Sequence, residues 1–335
     1  MSKTLVTGGT GLVGAHLLYH LIIAGVKPIA LKRPKSNLQN VINIFNFYSQ
    51  NGEKLFNKIT WIKCDILDII DLDEIVKNIQ IIYHCAALVS FNNELKNKML
   101  EVNTVGTSNI IDLSLKYNIN QICYVSSIAT LGKNEDLPAD ENTHWSWDNT
   151  SGYAISKYLA EMEVWRGFSE GLNGFIVNPS LIIGPGFWNS GIGTIIKKTF
   201  ISGPFYVSGS CGVIDVNDLT KIMISLMDKK ITNERFIINS EHISYKKLMS
   251  IISTELNLTK PSIQLPQIIL KILICINIIW GKLTGKKIAI SLDTIKYTKK
   301  PFLLDSSKIE KTISHSYIKT SESIKKYLEL FKKNS

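Results

Sequence analysis

Two periodicities alternate along the first 180 residues. Short apolar runs rich in β-branched and aromatic residues recur as TLVT from Thr4, PIAL from Pro28, ITWIKC from Ile59, IIYHC from Ile81, QICYVSS from Gln121 and FIVN from Phe175. Runs of this length and composition predict β-strands. Between them, Leu12–Ala24, Leu72–Lys77, Lys96–Tyr117 and Ala154–Gly167 place apolar residues three and four apart, which predicts helices. Strand and helix in strict alternation imply parallel strands joined by crossover helices on both faces. The predicted fold is an α/β, Rossmann-type doubly wound sheet.

The alternation breaks after Pro179. Gly184, Pro185, Gly186, Gly191, Gly193, Gly203 and Pro204 punctuate a less regular stretch. RFIIN (Arg235–Asn239) then reads as a strand that could return to the main sheet, and the chain from about Ser244 reads as mostly helical. The predicted organisation is a dinucleotide-binding domain over 1–180, with return segments near 213–240. A smaller, mainly helical substrate lobe takes 181–212 and 241–335. No internal repeat or low-complexity linker interrupts it.

Charge and composition change this picture little. The net charge is +10, and from Gly281 onward 13 lysines face five acidic residues. Such an excess suits an acidic partner or, more simply, a solvated lysine-rich helical surface. No aromatic–basic motif of a nucleic-acid module accompanies it, so no nucleic acid is expected as partner. Cys64, Cys85, Cys123, Cys211 and Cys275 form no C-x-x-C pair. They read as buried thiols in a reducing compartment, not as a disulfide frame or a metal site. The first strand begins by Lys3 or Thr4, which leaves no room for a leader and sets a cytoplasmic expectation. Ile268–Trp280 is very apolar but interrupted by Lys271 and Asn277. It is shorter than the ~20 residues of a spanning helix. A buried or oligomer-forming helix is the first reading, and a weak membrane-surface contact through 268–287 the second.

Candidate chemistry begins in TLVTGGTGLVGAHLL. Gly8, Gly11 and Gly14 stand between a strand and a helix. That setting lets the chain turn sharply, approach a pyrophosphate through its backbone and pack the helix closely on the sheet. The phosphates would sit at the positive end of that helix. The next strand ends in Lys32 and Arg33. An acidic residue at this position binds ribose hydroxyls, whereas two cations suit a 2′-phosphate, so NADP(H) is favoured over NAD(H).

Tyr153 and Lys157 stand four apart in YAISK, on one helix face. A phenol near pKa 10 exchanges protons poorly at neutral pH, and a neighbouring cation favours the phenolate. The pair therefore suits general acid–base work. Upstream, a strand ends in Ser126 and Ser127, where ligands of such sheets bind.

TGGTGLVG, HCAA, YVSS, YAISK and NPSLIIGPG, in this order, resemble the extended short-chain dehydrogenase/reductase family, closest to its dihydroflavonol-reductase-like and epimerase/dehydratase-like branches. The match is strong from residue 4 to about 220 and looser beyond. The resemblance implies a catalytic set of Ser127, Tyr153 and Lys157. Tyr153 would exchange the proton, Lys157 would bind the nicotinamide ribose, and Ser127 would orient the carbonyl. It implies Asp65 and Ile66 at the adenine edge, Ala86 and Ala87 along the cofactor, and Pro179 beside the nicotinamide. Asn103, His84, Asp215 and Asp218 are expected to be structural.

Departures from the family narrow the reaction. Its sugar-nucleotide dehydratases carry an acidic pair after the strand serine, where this chain has Ile128, Ala129 and Thr130. Its epimerases often read Tyr-Gly where this chain reads Leu131-Gly132. The expectation is an NADP(H)-dependent reductase or dehydrogenase of a carbonyl or alcohol on a small, fairly apolar substrate. The alternatives are a nucleotide-sugar epimerase and a non-catalytic dinucleotide-binding regulator. By family analogy the chain could pair as a homodimer.

Overall fold

The computed structural model describes residues 3–334, apart from 91, 133–136, 149, 190, 267, 271 and 273–301. Most of the apolar stretch 268–280, Cys275 and the lysines at 282, 286 and 287 lie outside the described residues, and with them the membrane-contact expectation. No described helix is long and apolar enough to cross a membrane.

The strands expected from the apolar runs are β1 (Thr4–Thr7), β2 (Ile29–Lys32), β3 (Thr60–Lys63), β4 (Ile81–His84), β5 (Gln121–Val125) and β6 (Gly174–Pro179). The returning strand β10 (Glu234–Ile238) completes a seven-stranded sheet of order β10-β6-β5-β4-β1-β2-β3, every pair parallel. Successive strand residues point to opposite faces. Val6 therefore joins Leu17, Leu18, Ile44, Phe45, Leu219 and Met223 on one side. Leu5 joins Leu72, Ile110, Ile111, Ala160 and Val164 on the other. The helices that supply these residues are α1 (Leu12–Ile23), α2 (Gln39–Tyr48), α4 (Ile69–Val76), α6 (Gly106–Lys116), α7 (Gly152–Ser169) and α9 (Val216–Asp228); α3 (Gly52–Phe56) follows α2. From β1 the order runs outward through β2 and β3 one way and through β4, β5 and β6 the other. This reversal opens a crevice at the carboxyl ends of β1 and β4.

The helix predicted over Lys96–Tyr117 is interrupted. It runs as α5 (Lys96–Leu100), a π-helical turn over Glu101–Val105, and α6. The wider turn serves Asn103, whose Oδ1 accepts from the Leu88 amide at 2.6 Å. Its Nδ2 donates to the Leu88 carbonyl at 3.0 Å and to Ser156 Oγ at 2.9 Å. Such bulges recur where a side chain must be aimed, and here Asn103 ties the post-β4 loop to α7. Its role is structural, as expected. The pattern Val41, Ile44, Phe45 and Tyr48 marks α2 in the sequence, although the prediction passed over it.

The smaller lobe adds a three-stranded sheet of β7 (Leu181–Ile183), β9 (Ser210–Asp215) and β11 (Glu241–Ser244). β8 (Phe205–Tyr206) pairs with β12 (Ile263–Gln264). Helices α8 (Ile192–Ser202), α10 (Tyr245–Glu255) and α12 (Thr320–Asn334) bury Ile196, Ile252, Tyr327 and Leu328 against it, and α11 (Ser307–Thr312) lies against β10. Asp215 caps α9 through the Asn217 amide at 2.7 Å. It also accepts from Tyr327 Oη at 2.7 Å and from Ser323, which fastens α12 to the lobe. Asp218 accepts from the Ile318 amide at 2.8 Å and pairs with His315.

Candidate active site

The glycine loop crosses the carboxyl end of β1. Gly8 has φ +66°, a left-handed conformation that costs other residues energy. A Cβ on Gly8 would stand 2.6 Å from the Ala86 amide nitrogen. A Cβ on Gly14 would collide with the Gly8 carbonyl, so only glycine lets α1 seat so closely. Gly11 donates to the Gly8 carbonyl at 2.9 Å and stands as N-cap of α1 without side-chain capping. Backbone amides at an uncapped helix start, in a cradle that a side chain would fill, fit the pyrophosphate expectation.

The structure places Lys32 at the end of β2, half-buried, and Arg33 exposed immediately after it. The Arg33 amide donates to Ser36 Oγ at 3.1 Å, and Thr10 of the glycine loop reaches the same hydroxyl at 3.5 Å. The 33–36 turn therefore folds over the loop. Thr10 and Ser36 were missed in the sequence, where a lone hydroxyl carries no signal. Asp65 closes the turn after β3 by accepting from the Leu67 amide at 3.1 Å. Ile66 is 7% exposed, its carbonyl accepts from Asn109 Nδ2 at 3.0 Å, and its side chain fills the space a Cβ on Gly106 would need. Ala86 donates its amide to Thr7 Oγ1 at 3.2 Å, and Ala87 is exposed.

His84 lies at the centre of an ordered chain. The Ala86 amide donates to Thr7, which leaves the Thr7 hydroxyl to donate to His84 Nδ1 at 2.6 Å. His84 Nε2 stands 3.0 Å from Thr107 Oγ1, whose own proton goes to the Asn103 carbonyl at 2.5 Å. The chain selects the neutral Nε2–H tautomer. Burial, aided by the Lys157 charge, pushes the His84 pKa down to about 3. This histidine is a structural one.

Ser127 stands at the carboxyl end of β5 and caps the short 3₁₀ turn Ile128–Thr130, accepting from the Ala129 amide at 3.1 Å. Tyr153 occupies the first turn of α7, which Ser151 caps from the Ala154 amide. One turn on, Lys157 is 2% exposed. It donates to Tyr124 Oη at 2.6 Å and to the Val125 carbonyl at 2.8 Å, which draws α7 against β5. Burial lowers the Lys157 pKa to about 7, against the opposing pull of Glu161 and Cys85. Tyr153 is near enough to help raise the pKa of the buried Tyr124, after burial itself and Glu161. Pro179 is buried at the end of β6, paired with Ile238.

Sequence reasoning missed the group beneath this site. Glu161 is fully buried, one turn beyond Lys157. Its Oε2 accepts from Ser126 Oγ at 2.5 Å, Thr130 Oγ1 at 3.0 Å and Asn178 Nδ2 at 3.0 Å, and its Oε1 pairs with Arg235 at 3.0 Å. The only signal available was its spacing, eight residues from Tyr153 on the same face. The arrangement sets Ser127 just beyond the carboxyl end of β5, Tyr153 in the first turn of α7 and the buried Lys157 against β5, two strands from the glycine cradle on β1. It can protonate a carbonyl oxygen held over that edge. Among the described residues no cluster of His, Cys, Asp or Glu is built to hold a metal ion.

Comparison with known proteins bears on the family and the fold. Residues 4–238 match the model of the NAD dependent epimerase/dehydratase family. The chain is 29% identical over 325 residues to a Synechocystis sp. protein named "Putative dihydroflavonol 4-reductase", covering 90% of this chain and 87% of the relative. The crystal structure of gox2253 superposes with a TM-score of 0.82 at 25% identity, covering 100% of this chain and 99% of the other. A UDP-glucose 4-epimerase from Thermotoga maritima, solved with UDP-glucose, shares the fold at a TM-score of 0.77 and 18% identity, each chain covered to 99%.

Proposed function

Because the chain belongs to the NAD-dependent epimerase/dehydratase family, whose members are NAD(P)-dependent enzymes, we propose that it is an NADP(H)-dependent reductase or dehydrogenase acting on a carbonyl or alcohol of a small, fairly apolar substrate. The observation that carries this reading is a buried Lys157, bonded to Tyr124 Oη and one helical turn from Tyr153, beside a strand end that offers Ser127 and no acidic pair.

The residues divide the work. Gly8, Gly11 and Gly14 hold the pyrophosphate, Ala86 and Ala87 flank the dinucleotide, and Asp65 and Ile66 border the adenine. Lys32 and Arg33 would take the 2′-phosphate, for which the planar guanidinium of Arg33 is suited. The bound nicotinamide supplies the hydride. In reduction, Ser127 donates a hydrogen bond to the carbonyl oxygen and Tyr153 delivers the proton as the alkoxide forms. The Lys157 ammonium, with two of its N–H groups on Tyr124 and Val125, would have a third for the ribose and would stabilise the phenolate left on Tyr153. Oxidation runs the same path backwards. The 3₁₀ turn leaves Ile128 and Ala129 where an elimination would need an acid and a base. Thr130 is meanwhile engaged with Glu161, the Ser127 carbonyl and Asn178. This favours plain redox chemistry over dehydration.

The test is a titration of NADPH against NADH, followed by a screen of aliphatic and aromatic ketones and aldehydes with the tighter cofactor. Tighter NADPH binding and cofactor oxidation by at least one apolar carbonyl are expected. A protein that retains oxidised cofactor through purification and turns over only nucleotide sugars is an epimerase instead.

A further inference from the structure

Glu161 has no part in the proton and hydride steps, yet this carboxylate touches the segments that carry Ser127 and Pro179 and shares the helix of Tyr153 and Lys157. Through Oε2 it receives Ser126 and Thr130, which bracket Ser127. It also receives Asn178, whose Nδ2 lies 3.2 Å from the Ser127 carbonyl and which immediately precedes Pro179. Through its own helix it is continuous with Lys157 and Tyr153. Through Oε1 it pairs with Arg235 of β10, which donates from Nε to the Glu141 carbonyl at 2.7 Å and from a terminal nitrogen to the Thr143 carbonyl at 3.4 Å. Glu161 is fully buried and the Arg235 side chain 17% exposed, so water screens little of this charge.

We propose that Glu161 is a positioning residue of the reaction: it registers the Ser127 turn against the Tyr153 helix and supplies the counter-charge of the buried Lys157 cation, a charge that Arg235 shares. The inference rests on the catalytic reading of Tyr153 and Lys157. The charged and titratable groups around Lys157 are few. Tyr124 comes from β5, Tyr153 and Glu161 from α7, His84 and Cys85 from the end of β4, and Arg235 from β10 behind Glu161. His84 is held neutral by burial and the Cys85 thiol is pushed up to about 12 by the same cause. Glu161 is thus the anion that can offset the Lys157 ammonium near neutral pH. Without it, the buried Lys157 cation loses that offset and Arg235 loses its partner.

The experiment uses two substitutions with opposite expected signs. Glu161→Gln removes the anion, and Arg235→Met removes its competitor. NADPH affinity of the full chain is measured by fluorescence from pH 5.5 to 9.5, together with thermal unfolding. Lys157→Met identifies which limb of the profile belongs to that lysine. In Glu161→Gln the limb moves to lower pH by on the order of one unit, and in Arg235→Met it moves to higher pH. A merely structural role lowers thermal stability in both and moves the limb in neither, and that result overturns the inference. Should Glu161→Gln fail to fold, the upward shift in Arg235→Met decides alone. If Lys157→Met leaves both the profile and carbonyl turnover unchanged, the catalytic reading itself fails and this inference goes with it.

Discussion

Lys157 Nζ donates to Tyr124 Oη across 2.6 Å and lies 4.2 Å from the centre of the same ring. The residue that would tune Tyr153 is therefore held by a neighbouring strand, not by solvent. Tyr124 is itself stacked on His84 at 5.5 Å between ring centres, and the Thr7–His84–Thr107 chain fixes that imidazole. Position passes from β1 through β4 and β5 to the helix that bears Tyr153.

Removing the phenol tests the chemistry directly. Tyr153→Phe is expected to lower kcat for carbonyl reduction by roughly 10²–10⁴-fold, the usual worth of a positioned acid. Fluorescence titration should show NADPH binding within about threefold of the parent, since a loss confined to the proton step leaves ground-state binding intact.

The proposed preference for NADP(H) rests on Lys32 and Arg33, and Arg33 is the one to change. Arg33→Asp should weaken NADPH binding by roughly 10–100-fold, the worth of a charge-assisted hydrogen bond of about 1.5–3 kcal/mol. NADH binding should hold or improve, because the aspartate can accept from the ribose hydroxyls. Isothermal titration with both cofactors reads the ratio. Equal losses for the two would show that Arg33 does not contact the 2′-phosphate.

The close seat of α1 on the glycine loop predicts a stability effect. Gly14→Ala drives a methyl group into the Gly8 carbonyl, and overpacking of this kind costs about 1–3 kcal/mol. Urea denaturation should show a lower midpoint with an unchanged slope, and NADPH affinity should fall with it. Gly25→Ala gives a control, since nothing lies within 4 Å of the added methyl, although φ +83° still carries some backbone cost.

Two buried histidines set the acid behaviour of the fold. Burial holds His16 and His84 at pKa values of about 3, against 6.5 unfolded. Between those values the unfolded chain binds protons that the folded chain refuses, so stability falls as pH drops through 6.5 and goes on falling toward 3. Each histidine contributes a slope of roughly 1.4 kcal/mol per pH unit in that window. Urea midpoints at pH 7.5, 6 and 4.5 measure it, and His16→Gln should make the decline shallower.

Much of this molecule was legible in the chain. The apolar runs at Thr4, Ile81, Gln121 and Phe175 are strands because buried parallel strands demand continuous β-branched and aromatic residues. Gly11 and Gly14 answer to the Gly8 carbonyl within a few residues, so local sequence records them, whereas Gly8 itself answers to Ala86 from the end of β4. Tyr153 and Lys157 share a helix face by the helix repeat alone. The π turn at Asn103 was not legible, because its cause is Leu88 and Ser156, 15 and 53 residues away. Nor was the role of His84, whose tautomer is set by hydroxyls contributed by β1 and α6.

What the sequence determined by itself is the order of strands and helices, the glycine cradle and the presence of a phenol and a lysine at helical spacing, all of them local consequences of residue type. Only the tertiary structure decided that Lys157 is buried against Tyr124, and that Glu161 beneath it is met by Ser126, Thr130, Asn178 and Arg235. The reason is physical. A charge inside a protein is governed by partners that other elements bring to it. The parallel sheet draws those partners from positions up to 74 residues away.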